Sequence, residues 1–456
     1  EILIGLVGSE MCIRDSCGCG EKMKATVFGA GLAGCEAAYQ LLKRGVEVTL
    51  VEMKPLKKSP AHRMDGFAEL VCSNSLKSDS LTGASGVLKA ELRKLDSLLI
   101  RCADKTSVPA GGALAVDRYA FSDCVTAELK KFPNLKTEYR VADRVADGIN
   151  IIATGPLTDE LFLEEIKRLC GRDFLYFFDA AAPIVTAESV DKSKSFVSSR
   201  YDKGTADYVN CPLTREEFSD FYRELTNAET VKLRDFENSA VFEGCMPIEI
   251  MAARGVDTIR FGPMKPVGLT DPRTGKRPFA VLQLRKENAE GSLLNLVGFQ
   301  THLTFGEQKR VFSLIPALKN AEFVRYGVMH KNIFINSPAL LDCDFSMKSK
   351  PEIFFAGQIS GVEGYVESIA GGLMCGVNAF RRLKGKAPIK PDGATLCGAL
   401  ALYVSSPNEC FQPMNANFGI LKPLGEEIRD KAKKKEAYAL RALAHTDKIL
   451  TEVSDG

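Results

Sequence analysis

Short apolar runs and amphipathic stretches alternate along this chain, and their order predicts an α/β fold. Residues 25–28 form an apolar run of the length of a buried parallel strand. Residues 35–43 have helical composition, and Arg44-Gly45 closes them with a cation and a C-capping glycine. Residues 46–51 read as a second strand with Glu52 at its carboxyl end. Between the first strand and the helix stand Gly29, Gly31 and Gly34, with Ala30, Leu32 and Ala33 between them. In this G-x-G-x-x-G spacing the first glycine permits a tight turn and the second lets backbone approach a pyrophosphate. The third lets the helix pack on the strand. Glu52 is placed to accept hydrogen bonds from an adenosine ribose. An ordinary glycine turn has the same spelling, but strand, helix, second strand and terminal Glu in register point to dinucleotide binding.

Further along, residues 86–99 read as an amphipathic helix and 117–131 as another, broken by Pro133. Residues 149–153 are a strand that runs into Thr154-Gly155-Pro156, a turn of the A-T-G type. From about residue 170 the texture changes. An aromatic strand (174–178), a charged helix (214–226) and turn-rich basic stretches such as 271–278 predict an inserted second domain, α/β or α+β. Residues 353–357 are again a buried strand, ending in Gly357. Tyr365 follows in a glycine-flanked loop where an aromatic ring can stack on a flavin or a base. Gly371 and Gly372 allow backbone to approach a ring or phosphate. The expected division is a Rossmann-like domain over 23–169, the insertion over 170–330, and a return segment with a C-terminal helix over 331–456. Residues 1–22 fit none of this and are expected to be a non-native lead, with the native start at Met23.

Composition narrows the picture. A length of 456 residues predicts two domains. The net charge of +2 confines any nucleic-acid site to a local patch. Lys433, Lys434 and Lys435 in the C-terminal helix are either a solvated face or such a patch. No apolar run has the length to span a membrane. The 14 cysteines are scattered without a repeated C-x-x-C pair. That pattern fits a reducing cytoplasm better than a disulfide framework, and no metal site is expected.

Two cysteines invite chemistry. Cys72 lies in the polar stretch V-C-S-N-S, whose serines and asparagine are helix-capping types. It is either a thiol activated at a helix N-terminus or a semi-buried small residue. Cys245 precedes Pro247, which suits the first turn of a helix running to Arg254 and closed by Gly255. Cys245 is either a nucleophile favoured by that helix start or an inert turn cysteine. Arg285, Asn288, Gln300, Thr301 and His302 cluster polar groups at strand ends. They either bind a polar heterocycle or satisfy buried backbone. His62 alone reads as a surface residue.

The strings G-A-G-L-A-G-C-E-A-A, E-L-V-C-S-N-S-L-K-S, A-T-G-P-L-T, F-E-G-C-M-P-I-E, F-G-P-M-K-P-V-G-L, V-G-F-Q-T-H-L and G-Q-I-S-G-V-E-G-Y-V-E-S together resemble the folate- and FAD-dependent tRNA uracil-5-methyltransferase (TrmFO) family. The likeness runs from about Met23 to the C-terminal helix. It implies FAD as cofactor, methylenetetrahydrofolate as carbon donor and NAD(P)H as reductant. The implied substrate is uridine 54 of the tRNA T-loop, converted to ribothymidine with reduced FAD as hydride source. It also implies Cys245 as nucleophile and Cys72 as base or proton-transfer group, in roles that can be exchanged, and Tyr365 near the flavin. A sister family, which modifies the tRNA wobble uridine, carries a long C-terminal helical extension that this chain is expected to lack. A non-catalytic flavin-binding protein would need neither cysteine.

Overall fold

The computed structural model describes residues 23–59, 61–171, 174–180, 182–202, 205–231, 246–286, 291–327, 329–408, 411–425 and 428–454. Five strands form a parallel sheet in the order Ile353–Phe355, Ile149–Ile152, Lys24–Phe28, Glu47–Glu52, Leu135–Tyr139. Apart from the half-exposed edge strand Leu135–Tyr139, its strands are largely apolar and buried, as in a parallel sheet covered on both faces. Val27, Phe28, Ile151, Ile152, Phe354 and Phe355 are fully buried. The chain leaves Lys24–Phe28 toward Glu47–Glu52 and later returns on the other side as Ile149–Ile152. That reversal opens a crevice beyond the carboxyl ends of the strands, where the glycine loop stands.

Helix Leu32–Leu42 and the return helix Tyr365–Leu383 cross through small residues. A Cβ on Gly372 would stand 2.3 Å from the Ala33 carbonyl oxygen, and one on Gly376 would stand 2.7 Å from that of Ala37. Gly34 is equally constrained, since its Cβ would fall 1.8 Å from the Gly29 carbonyl oxygen. The third glycine of the motif thus serves strand–helix packing, as its spacing predicts.

A second sheet is antiparallel, in the order Phe196–Val197, Tyr208–Leu213, Ala280–Lys286, Leu293–Leu296, Ile184–Thr186, Phe323–Arg325. Its core is its own, built from residues between Val185 and Ala321, including Phe218, Phe221, Phe299 and Phe312. Helix Arg215–Thr226 begins with a capping box, Thr214 and Glu217 each bonding the other's backbone N–H. Flanking this core in sequence, Phe174–Ala180 and Met329–Ile335 pair antiparallel.

The helix expected over 86–99 is two helices, Ala84–Lys94 and Leu98–Lys105. Asp96, with φ of +56°, turns the chain between them. Ser97 caps the second helix locally, but a remote group completes the break. The buried Glu36 carboxylate accepts from Ser97 Oγ at 2.8 Å and from the Leu99 N–H at 3.1 Å. A second buried carboxylate does similar work. Glu91 accepts from the Leu396 and Cys397 N–H groups at 2.7 and 2.9 Å, at the start of helix Leu396–Ser405.

Burial pushes the Glu91 carboxyl up to about 7, against the pull of those two N–H groups. The folded value thus lies above the ordinary one near 4.5. Its contribution to stability is full below that value and is lost as pH rises through about 7. Glu91→Gln is expected to flatten this decline in denaturant titrations run between pH 4.5 and 7. Glu91→Ala leaves two buried N–H groups without an acceptor and is expected to destabilise by roughly 2–5 kcal/mol.

Candidate active site

The crevice is built first from backbone. Gly29 has φ of +94°, and a Cβ there would meet the Ala153 carbonyl oxygen at 2.7 Å. Gly31 is the N-cap of helix Leu32–Leu42, and no side chain caps that helix. Its first-turn N–H groups are therefore donors for an anion. Nothing lies within 4 Å of where a Gly31 Cβ would stand, so a phosphate can approach. Buried Glu52 closes the other wall. Its Oε2 accepts from the Ala30 N–H at 2.7 Å and its Oε1 from the Lys54 N–H at 2.8 Å. A carboxylate has about four acceptor sites, so capacity remains for a ribose diol. A pocket opens here, its lining including Gly29, Gly31, Glu52, His62, Thr154 and Phe162. An uncapped helix start, a glycine cradle and a ribose-accepting carboxylate fit the adenosine-diphosphate half of FAD.

Beneath Glu52, Lys54 Nζ donates to the Gly66 carbonyl at 2.7 Å and lies 3.5 Å from Glu69 in an ion pair whose side chains are 3% exposed. Beside them His62 is half-buried, its Nδ1 2.6 Å from Ser59 Oγ. Burial first, then the Lys54 charge, pushes the imidazole down to about 4. The surface residue expected at His62 is instead a neutral imidazole lining the pocket.

Cys72 does not lead into a helix of its own segment, where its capping-type neighbours would place it. It lies in a bend ahead of strand Ser75–Ser78, and Ser73 Oγ accepts from the Ser75 N–H at 3.1 Å. The capping residues make a turn into a strand. The loop is held by parts remote in sequence. Tyr365 Oη accepts from the Cys72 N–H at 2.8 Å and the Ser73 N–H at 3.1 Å. Arg285 Nη2 donates to Ser73 Oγ at 2.6 Å and its Nε to Asn74 Oδ1 at 3.1 Å. Asn74 Nδ2 donates to the carbonyls of Val116 and Lys286, and Arg325 donates to that of Val71. Burial first, then the neighbouring Cys72, raises the Tyr365 hydroxyl, so it stays a neutral phenol. Arg285, expected among substrate-binding groups, is placed on the Cys72 loop.

Cys245 and Asn288 lie outside the described residues. The helix after Cys245 is Ile248–Ala253, with Pro247 at its N-cap and Arg254 at its C-cap. Residues 300–302 meet its start. The Ile248 N–H donates to the Gln300 carbonyl at 2.8 Å, and Thr301 Oγ1 to Glu249 Oε2 at 2.7 Å. The His302 N–H donates to Glu249 Oε1 at 2.9 Å. These contacts engage the Thr301 hydroxyl and the backbone of residues 300 and 302 within the protein. Gly357 and Gly371 sit together, a Gly371 Cβ lying 3.4 Å from the Gly357 nitrogen, while Gly372 packs on Ala33. Sequence reasoning missed Lys54, Glu69 and Arg140 in the pocket lining. Arg140 directly follows strand Leu135–Tyr139, a usable signal had that strand been recognised.

A family model described as Glucose inhibited division protein A matches residues 24–387. The methylenetetrahydrofolate--tRNA-(uracil-5-)-methyltransferase TrmFO of Bacillus licheniformis is 57% identical over 418 residues, spanning 91% of this chain and 96% of that protein. The protein of that name from Anoxybacillus flavithermus is 56% identical over 432 residues, spanning 94% and 100%. The chain belongs to the TrmFO family. The solved structure of Aquifex aeolicus GidA in its form II crystal shares the fold, with a TM-score of 0.67 at 15% identity over 95% of this chain and 76% of that one. The form I crystal agrees, at 0.65 and 16%. The fold shared by TrmFO and GidA thus carries the crevice described above.

Two measurements probe the site. Tyr365→Phe removes the acceptor shared by the Cys72 and Ser73 N–H groups, and both amides are expected to exchange with solvent about 10–100-fold faster. Histidine NMR is expected to show His62 neutral at pH 5.5, since its folded value is about 4. A depressed histidine binds fewer protons folded than unfolded. Its stabilising contribution is therefore full above pH 6.5 and is lost as pH falls toward 4.

Proposed function

We propose that this chain methylates C5 of uridine 54 in the tRNA T-loop, with methylenetetrahydrofolate as carbon donor and NAD(P)H as reductant. The coarser reading, a folate-dependent, FAD-containing methyltransferase, follows from family membership. The observation that carries it is 56–57% identity spanning 96–100% of relatives named for that reaction. When bound and reduced by NAD(P)H, FAD would supply the hydride that turns the transferred methylene into methyl.

The chain's own residues handle the base. Uracil C5 is a poor nucleophile, and a thiolate adding to C6 makes it enolate-like. We assign that thiolate to Cys245. A second group must take the C5 proton before the thiol is eliminated, and we assign it to Cys72. Tyr365 and Arg285 hold the Cys72 loop by its backbone and by the side chains that follow it. Such anchoring suits a proton acceptor that must meet one atom of an extruded base. The separate core within 185–321 supports reading 170–330 as an insertion in the FAD-binding domain. No helix among the described residues is long and apolar enough to cross a membrane. A tRNA substrate would put the reaction in the cytoplasm.

The test uses FAD-loaded protein, tRNA, NAD(P)H and methylenetetrahydrofolate labelled in its methylene carbon. Label is expected as 5-methyluridine at position 54. Cys245→Ala and Cys72→Ala are each expected to lower the rate by about three orders of magnitude or more. Label absent from position 54 would overturn the proposal. Modification of the wobble uridine would favour the sister activity.

A further inference from the structure

The C-terminal helix Lys431–Ser454 is charged against its own dipole. Cations belong at a helix C-terminus and anions at its N-terminus. Here Lys431, Lys433, Lys434 and Lys435 all stand in the opening turns, with Arg429 just before them, and all five are exposed. None of the five makes an ion pair among the described residues. Two acids stand with these five cations: exposed Glu436 follows Lys435, and the Asp430 carboxylate is engaged as the helix cap, accepting from the N–H groups of Ala432 at 2.8 Å and Lys433 at 3.0 Å. At the other end, cations from outside the helix meet its last carbonyls. Arg44 and Arg381 donate to the carbonyls of Val453 and Glu452 at 2.9 and 3.0 Å. A run of exposed cations placed where the dipole disfavours them points to a functional demand there.

The patch is tied to the site already described. Tyr438, one turn beyond Lys435, stacks on Phe418 with ring centroids 5.7 Å apart. The segment that carries Phe418 also carries Ala416, whose N–H donates at 2.9 Å to the Glu367 carboxylate. Glu367 is in the first turn of the return helix that begins with Tyr365. The opposite face of the basic helix is committed, with Tyr438, Ala439, Ala442, Ile449 and Val453 buried in the main core. An interfacial membrane helix needs that apolar face free. An RNA backbone needs only the exposed cations.

We propose that residues 429–435 dock the phosphate backbone of the tRNA substrate, holding it while the target base enters the Cys72 site. This rests on the tRNA methyltransferase reading above. The lysines act as point charges on phosphates and carry affinity, not base choice.

The test is a Lys431→Ala, Lys433→Ala, Lys434→Ala, Lys435→Ala variant of the full chain, with Lys448→Ala on the same helix as control. Removing charges that oppose the dipole is expected to leave the melting temperature unchanged or raised, and FAD content unchanged. Binding of unmodified tRNA, followed by fluorescence anisotropy across salt concentrations, is expected to weaken at least tenfold at low salt. The slope of log Kd against log salt is expected to fall by about 3, at roughly 0.7–0.9 per lost contact. KM for tRNA should rise while kcat at saturating tRNA holds, and the control should match the parent. A folded quadruple variant with the parent's Kd and salt slope overturns the docking surface, even if the parent methylates tRNA. A parent that binds tRNA through these lysines yet transfers no label overturns the methyltransferase reading and leaves the surface standing.

Discussion

Helix Leu32–Leu42 and the return helix Tyr365–Leu383 approach so closely that neither Gly372 nor Gly376 has room for a methyl group. Everything at the site is referred to that crossing. One helix starts at the glycine loop and the other starts at Tyr365. With their backbones in contact through Ala33 and Ala37, neither helix can slide by a fraction of a turn without a clash. The crossing thus fixes the distance between the phosphate-binding helix start and the phenol that holds the Cys72 loop. Gly357 belongs to the same constraint, since a Cβ there would stand 2.8 Å from that of Ala33.

The Cys72 loop is where the two sheets meet chemically. Its backbone is gripped from the return helix through Tyr365, and its side chains from the antiparallel sheet through Arg285. A buried guanidinium is expensive to desolvate, and Arg285, 7% exposed, spends its donors on Ser73 and Asn74. That expense is consistent with a positioning duty. It also makes the Cys72 position depend on the second sheet, whose chain leads from Cys245 through Pro247 into helix Ile248–Ala253.

The nucleotide crevice is governed by burial in the opposite sense. Glu52, Lys54, Glu69 and His62 line one pocket, where burial, helped by the lysine charge, holds the His62 imidazole below its ordinary range. Glu52 braces the glycine loop through Ala30 and still faces the pocket. The carboxylate that faces the pocket thus also sets the shape of the loop.

The glycine turn, its flanking strands and Glu52 were legible because backbone sterics are local: the clash at Gly34 is with Gly29, five residues away. Family strings pointed to Cys72, Cys245 and Tyr365, of which Cys72 and Tyr365 lie together. Long-range partners were not legible. The break at Asp96 is completed by Glu36, and the capping-type residues around Cys72 look locally like a helix start. Only contacts with Tyr365 and Arg285 show them to be a clamped turn. Gly372 has the same ambiguity: an isolated glycine pair spells ligand approach as readily as helix crossing, until Ala33 is seen against it. The residue types along the chain settle which conformations its backbone can take. Which distant group accepts a given hydrogen bond depends on how the sheets and helices close around it, because a buried polar group must find its partner wherever the packing brings one.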